Sequence, residues 1–128
     1  AHGTSIEVRA PECCSVRLDR VRVEQMIGNL LDNAFTHGRA TPILLEASVE
    51  GAWARIAVSD RGPGVPPSQR EAVFGGVDRV LRGSSPGRGL GVGLWVVREL
   101  ARMQGGDAAI DPSWSPGARV VVKLPVDP

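Results

Sequence analysis

The stretch Gln25-Met26-Ile27-Gly28-Asn29-Leu30-Leu31-Asp32-Asn33-Ala34-Phe35-Thr36-His37 decides how the rest of the chain reads. Met26, Ile27, Leu30, Leu31 and Ala34 recur at helical spacing, with Val23 a turn earlier. Gln25, Asn29, Asn33 and His37 form a polar row beside them. Residues four apart lie one turn apart on a helix, so Asn29 and Asn33 project from one face. Asparagine is a mediocre helix former, and two on one stripe call for a reason. An amide offers an uncharged oxygen acceptor and two N–H donors. A magnesium–phosphate site is such a reason, because Mg²⁺ takes hard oxygen ligands and shares them with substrate phosphates. The alternative is a solvated helix face. Asp19 stands as N-cap and Gly38 as stop, which predicts a helix ending at about Thr36 or His37.

A length of 128 residues fits one domain with a core of its own. Hydrophobic residues make up 42% and charged residues 23%, a globular rather than disordered balance. The net charge of +1 argues against a nucleic-acid footprint, which needs a basic excess on one face. Cys13 and Cys14 are the only cysteines. As neighbours on an extended chain they point apart, which suits free thiols in a reducing compartment better than a disulfide. No apolar run approaches the roughly 20 residues of a membrane span, and no signal peptide is visible. The chain begins at Ala1 without methionine. It reads as an excised domain in which residues 1–5 are a tail or vector remainder.

Short strands are expected at Ile6–Ala10 and Ser15–Leu18. Ile43–Glu50 and Trp53–Ser59 read as a strand pair joined near Gly51. In the second strand Ala54, Ile56 and Val58 share a face, and Asp60 is next in the alternation. An acid closing an apolar face is unusual. Asp60-Arg61-Gly62-Pro63-Gly64-Val65-Pro66-Pro67 is a rigid, punctuated turn. A short helix over Ser68–Val73 follows, with Ser68 as cap and Glu71 completing a capping box. Residues 75–91 are rich in Gly, Ser and Pro, a composition and length that mark a functional loop. Gly89-Leu90-Gly91-Val92-Gly93-Leu94 leads into a helix from about Gly93 to Met103, closed by Gly105-Gly106. Ala108–Asp111 and Val120–Leu124 are the last strands, with Ser115-Pro116-Gly117 as the turn between them. There is no internal repeat and no second domain.

The ordered set Asn29-x-x-x-Asn33, Asp60-x-Gly62-x-Gly64, Phe74, Gly89-x-Gly91-x-Gly93-Leu94 and Gly117 resembles a known family. It is similar to the catalytic ATP-binding domain of sensor histidine kinases, within the gyrase–Hsp90–histidine kinase–MutL superfamily, from about Asp19 to Pro125. These are that family's N, G1, F and G2 boxes and its closing glycine. The resemblance implies the Bergerat fold: a two-layer α/β sandwich, with a mixed, mostly antiparallel sheet and about three helices on one face. ATP would lie between the layers under a long lid, here residues 65–92.

The same resemblance implies residue roles. Asn33 would be the Mg²⁺ ligand, with Asn29 facing the same phosphates. Superfamily ATPases carry a water-activating glutamate at the Asn29 position, so an amide there favours phosphoryl transfer over hydrolysis. Asp60 would accept a hydrogen bond from the adenine 6-amine. Guanine carries a carbonyl at that position, and two acceptors would then face each other unpaired. Gly62 and Gly64 would let the backbone approach the base. Gly89, Leu90, Gly91, Val92, Gly93 and Leu94 would form the phosphate cradle, glycines letting successive N–H groups converge on an anion at a helix start. His37 would stand near the nucleotide, or act as a cation at a helix C-terminus. Arg79 would reach the γ-phosphate from the lid. Arg82 and Arg88 read equally as phosphate partners or solvated charges.

Several positions depart from the family pattern. Thr36 stands where a phosphate-touching Lys or Arg is frequent, and Ala118 where a Thr supports adenine binding through water. Val77 and Asp78 replace F-box aromatics, and Gln104 replaces a common His. Neither His2 nor His37 has the context of a phosphoacceptor. The implied function is the catalytic module of a two-component kinase. It would deliver the γ-phosphoryl of Mg-ATP to a histidine on a separate dimerisation domain, with a cognate response regulator downstream. It would be cytosolic, with no nucleic acid or direct membrane insertion, in a kinase that is itself membrane-anchored. The alternative is a nucleotide-sensing or anti-sigma-like binding module without transfer.

Overall fold

The computed structural model describes residues 6–9, 18–75 and 92–126. In chain order the elements are β1 (Ile6–Arg9), α1 (Arg20–His37), β2 (Ile43–Glu50) and β3 (Trp53–Ser59). Two 3-10 turns follow (Pro67–Gln69 and Ala72–Phe74), then α2 (Val92–Met103), β4 (Asp107–Ile110) and β5 (Arg119–Pro125).

Helix α1 forms where the apolar period predicts it. The Asp19 carboxylate accepts from the Arg22 N–H at 3.2 Å, satisfying one of the first-turn donors. Met26, Leu30 and Ala34 are buried, while Gln25 and His37 are exposed and Asn29 and Asn33 half-buried. Gly38 ends the helix, but not by turning left-handed: its φ is −80°. The left-handed residues come next, at Arg39 (φ 54°) and Ala40 (φ 63°). Gly38 is required for another reason. A Cβ there would lie 2.9 Å from the Asp60 Cβ and would also strike the Ala34 carbonyl. The helix end and the end of β3 are therefore pressed together.

The five strands run in the order β1-β2-β3-β5-β4, with β1 parallel to β2 and every other pair antiparallel. The sheet is mixed and mostly antiparallel, as expected. The β2–β3 hairpin turns at Gly51 (φ 59°) with Glu50 opposite Trp53. Ala54, Ile56 and Val58 share the buried face. Ile56 and Val58 meet Val120, Val122 and Leu124 of β5, Met26, Leu30 and Ala34 of α1, and Leu94, Val97 and Ala101 of α2 in one core. Each large side chain buried this way contributes about 1.5–3 kcal/mol before the entropy of ordering is set against it. Gly105 (φ 88°) and the Gly106 N–H, which donates to the Ala101 carbonyl at 2.9 Å, close α2.

The capped short helix expected over Ser68–Val73 does not form. Its place is taken by the two 3-10 turns, and neither has a side-chain cap. The Glu71 carboxylate forks onto Arg98 of α2 instead of reaching back to the Ser68 N–H, so the capping box does not close. Of the strand expected at Ser15–Leu18, Leu18 is irregular, and residues 15–17 lie outside the described residues, as do Cys13 and Cys14.

Candidate functional site

Register decides where the site lies. Ser59 pairs with Arg119, so the residue after β3 falls beside the residue before β5. The Asp60 N–H donates to the Ala118 carbonyl at 2.9 Å. Asp60 is 4% exposed, and its side-chain Oδ1 accepts from the N–H groups of Gly62 (2.8 Å) and Ala118 (3.2 Å). One carboxylate oxygen is thus held by the backbone, and the residue opens onto a cavity of about 440 Å³. That volume is in the range of small-molecule sites.

Helix α1 provides one wall of the cavity through Asn33, Thr36 and His37, and Arg39 follows from the loop. Gly64, Val65, Pro66 and Gln69 form the rim after β3. The apolar side is Val73, Leu94, Ile110, Ala118 and Val120. A polar helix face opposite an apolar wall, with a carboxylate at one end, can hold a flat heterocycle edge-on to the acid while a polar tail runs along the amides.

Among the predicted site residues, Asn33, His37, Asp60, Gly64 and Leu94 line this one cavity. Asn29 sits one turn back along α1, where a Cβ on Gly93 would come within 3.8 Å of its Cβ. The asparagine helix and the start of α2 therefore face each other. Gly62 is off the cavity: the place a Cβ would take is 2.9 Å from the Gly38 Cα and carbonyl oxygen. Gly64 (φ 76°) is likewise pressed on the Gly117 carbonyl, 2.7 Å from where its Cβ would be. Both glycines serve backbone-to-backbone packing that builds the rim. Gly117 (φ 107°) leaves no room for a Cβ against the Asp60 carbonyl. Val92 opens α2, and Arg79, Arg82, Arg88, Gly89, Leu90 and Gly91 lie outside the described residues.

Two arginine–aromatic struts stand behind the cavity, and the sequence reading did not identify them. In the first, the Trp114 indole N–H donates to the Asp60 carbonyl at 2.8 Å. The Arg61 guanidinium lies 3.8 Å from the Trp114 ring centroid and the Arg119 guanidinium 4.0 Å from it. Arg119 also donates to Ser59 Oγ (2.7 Å) and Glu46 Oε1 (2.8 Å). Asp111, in the same turn, accepts from the Ser113 hydroxyl and N–H, and these bonds hold its carboxyl below the ordinary range. In the second strut, buried Arg98 lies 4.0 Å from the Phe74 ring centroid and forks onto Glu71 at 2.9 and 3.0 Å. It also donates twice to the Ala108 carbonyl, at 3.1 and 2.9 Å. The Arg98 bond lowers the Glu71 carboxyl below its ordinary value. Burial would raise Asp107, but the Ala108 N–H and Arg102 outweigh it and the net shift is downward. The one advance signal for the first strut was a large aromatic in an otherwise polar turn.

A model of the family described as histidine kinase-, DNA gyrase B-, and HSP90-like ATPase matches residues 18–128. The chain belongs to this family. Within it, the sensor-type histidine kinase PrrB of Mycobacterium tuberculosis is 38% identical over 119 residues, covering 92% of this chain and 26% of that protein. The sensor protein kinase CarS of Pseudomonas aeruginosa is 37% identical over 127 residues, covering 98% of this chain and 28% of that protein. This histidine-kinase-type ATP-binding domain thus spans about a quarter of the length of the curated relatives it matches. The crystal structure of the ATP binding domain of PrrB from Mycobacterium tuberculosis superposes with a TM-score of 0.73 at 28% identity, over 96% of this chain and 82% of that one. Full-length ShkA in complex with AMPPNP gives 0.81 at 28% identity, over 98% of this chain and 26% of that one. No helix among the described residues of the domain is long and apolar enough to cross a membrane.

Proposed function

We propose that this domain binds ATP with Mg²⁺ in the cavity between α1 and the β3–β5 part of the sheet. In the whole protein it would transfer the γ-phosphoryl group to a histidine of a separate dimerisation domain, for onward passage to a response regulator. The observation that carries the reading is the convergence of Asn33 and Asp60, from distant parts of the chain, on one cavity. Residues 1–128 make one catalytic domain in this reading, with residues 1–5 a tail and residues 65–92 as its lid. The protein to which it belongs is a membrane-anchored kinase with this domain in the cytoplasm.

Each residue has a role its chemistry fits. Asp60 is the adenine acceptor: with Oδ1 held by two backbone N–H groups, its remaining acceptor capacity is aimed by the fold rather than by the ligand. Leu94, Val120 and Ile110 give the base an apolar bed. Asn33 holds the metal, and Asn29 and the glycines from Gly89 to Gly93 hold phosphate oxygens. Mg²⁺ held through Asn33 would offset the negative charge of the phosphates. Among the described residues no group of three His, Cys, Asp or Glu could hold an ion, and a single amide ligand fits a metal that arrives with its nucleotide. His37 lines the nucleotide, and Arg79 reaches the γ-phosphate. In the transfer the acceptor nitrogen bonds to the γ-phosphorus as the bond to the β–γ bridging oxygen breaks, and ADP leaves. Asp60, the adenine acceptor of this reading, is the one carboxylate among the described lining residues, and Asn29 is an amide where superfamily ATPases carry a water-activating glutamate.

Calorimetry with ATP and MgCl₂ tests binding, and incubation with γ-labelled ATP tests the division of labour. Binding without self-labelling is the expected result. Stable label on His2 or His37 contradicts the need for a partner domain. No heat at millimolar ATP and Mg²⁺ favours the degenerate binding module without transfer.

A further inference from the structure

Trp114 has no place in the site as read from the motifs, yet it touches the residue on which base recognition depends. The turn from Trp114 to Ala118 grips Asp60 at four points. Ala118 accepts from the Asp60 N–H and donates to its Oδ1, Gly117 packs on its carbonyl, and the Trp114 indole donates to that carbonyl at 2.8 Å. An indole N–H in a half-buried position has water as an easy partner. Here it is committed instead to one peptide oxygen. The ring is braced by two cations, with the Arg61 guanidinium 3.8 Å and the Arg119 guanidinium 4.0 Å from its centroid. Arg61 is itself tied to the turn through the carbonyls of Ser115 (3.0 Å) and Pro116 (3.3 Å). Arg119 is tied to the sheet through Ser59 and Glu46. The strut therefore runs from β2, through the indole, to the peptide that carries the carboxylate.

We infer that Trp114, braced by Arg61 and Arg119, is a positioning residue for Asp60, and that it sets the adenine-over-guanine specificity of the site without touching the base. This rests on the reading of Asp60 as the adenine acceptor. A fixed carboxylate rejects guanine because neither group can swing away from the mismatch. A loosened one recovers part of the lost affinity by rotating, and its bond to adenine weakens as well.

The test is a double-mutant cycle read by calorimetry with ADP and with GDP. Trp114→Phe keeps an aromatic ring in the stack and removes only the N–H donor. It should weaken ADP binding about three- to tenfold, the usual scale for one hydrogen bond, with GDP unchanged or slightly tighter. In the Asp60→Asn background the same change should cost less than about twofold, because the two residues act as one unit. Arg61→Ala, at an exposed position, leaves the indole N–H but removes one face of the brace. It should cost about two- to fivefold by the same route, and it carries the cycle if Trp114→Phe does not fold. An ADP loss of equal size in both backgrounds overturns the inference, as does an unchanged ADP-to-GDP ratio in a folded Trp114→Phe protein. If Asp60→Asn alone leaves ADP binding intact, it is the adenine-acceptor reading that fails, and that outcome is separate from the first two.

Discussion

The two ends of the cavity are built on opposite plans. At the Asp60 end almost every polar atom is committed: the N–H, the carbonyl and Oδ1 all have protein partners, and an aromatic strut stands behind them. At the Asn33 end, neither the Asn29 nor the Asn33 amide bonds to another described residue, and both sit half-buried on a regular helix. The difference follows from what each end is proposed to meet. A purine edge has a fixed pattern of donors and acceptors, and selectivity comes from a partner that cannot adjust. Phosphates and a metal change charge and coordination during transfer, and groups already paired within the protein would have to be released to follow them. On the proposed reading, rigidity is placed where identity is read, and polarity with no partner among the described residues where charge moves.

The comparison breaks most readily at Gly117. Its φ of 107° and the absence of space against the Asp60 carbonyl make even a methyl group expensive. Gly117→Ala should destabilise the fold by about 2–4 kcal/mol in urea titrations and remove adenine binding in whatever remains folded. A variant with parental stability would show that the Asp60 end is not rigidly built. Asp60→Asn comes next. The amide oxygen can still accept from Gly62 and Ala118, so the fold should hold. The NH₂ group then faces the adenine amine, donor against donor. Affinity for ADP and for adenosine should fall together by about 10- to 100-fold. Asn33→Ala sharpens the contrast from the other side: ATP affinity in Mg²⁺ should fall about tenfold while adenosine binding is unchanged. If adenosine suffers as much as ATP, the two ends are not separate in function.

The sequence made the Asn29–Asn33 helix and the β2–β3 hairpin legible because both are local. A period of apolar residues fixes which face of α1 is buried, and Gly51 fixes the turn. Asp60 was legible because an acid at the end of an apolar alternation breaks its own pattern. What supports Asp60 was not. Trp114 lies 54 residues away, and only the β3–β5 register brings it alongside. Glu71 shows the reverse failure, a local rule applied where a distant partner wins. Ser68 and Glu71 have capping-box spacing, but Arg98 offers the Glu71 carboxylate a bidentate charged partner instead. The turn signal at Gly62 and Gly64 marks glycines without saying which backbone they meet. Their missing side chains make room for Gly38 and Gly117, and no spacing rule reveals which backbone will arrive there.

The smallest effect concerns the second strut, and it asks whether the apolar wall is braced as firmly as the Asp60 end. Glu71 is an exposed partner of a buried arginine, with side-chain exposures of 80% and 11%. Solvent screens such a pair, so Glu71→Gln should cost no more than about 1 kcal/mol at neutral pH. Arg98→Met should cost more, because the Ala108 carbonyl loses both of its guanidinium donors inside the core. The pH dependence follows from the direction of the shifts. Glu71 and Asp107 both have carboxyls lowered in the folded state. Their contribution is therefore fully present above the ordinary carboxylate value and is lost as pH falls through the lowered one. Thermal melts of the parent and Glu71→Gln proteins should differ slightly at pH 7 and converge on acidification below about pH 4. A gap that persists or widens in acid would mean that Glu71 acts by packing on the 3-10 turn, and that Arg98 braces the wall through Ala108 and Phe74 alone.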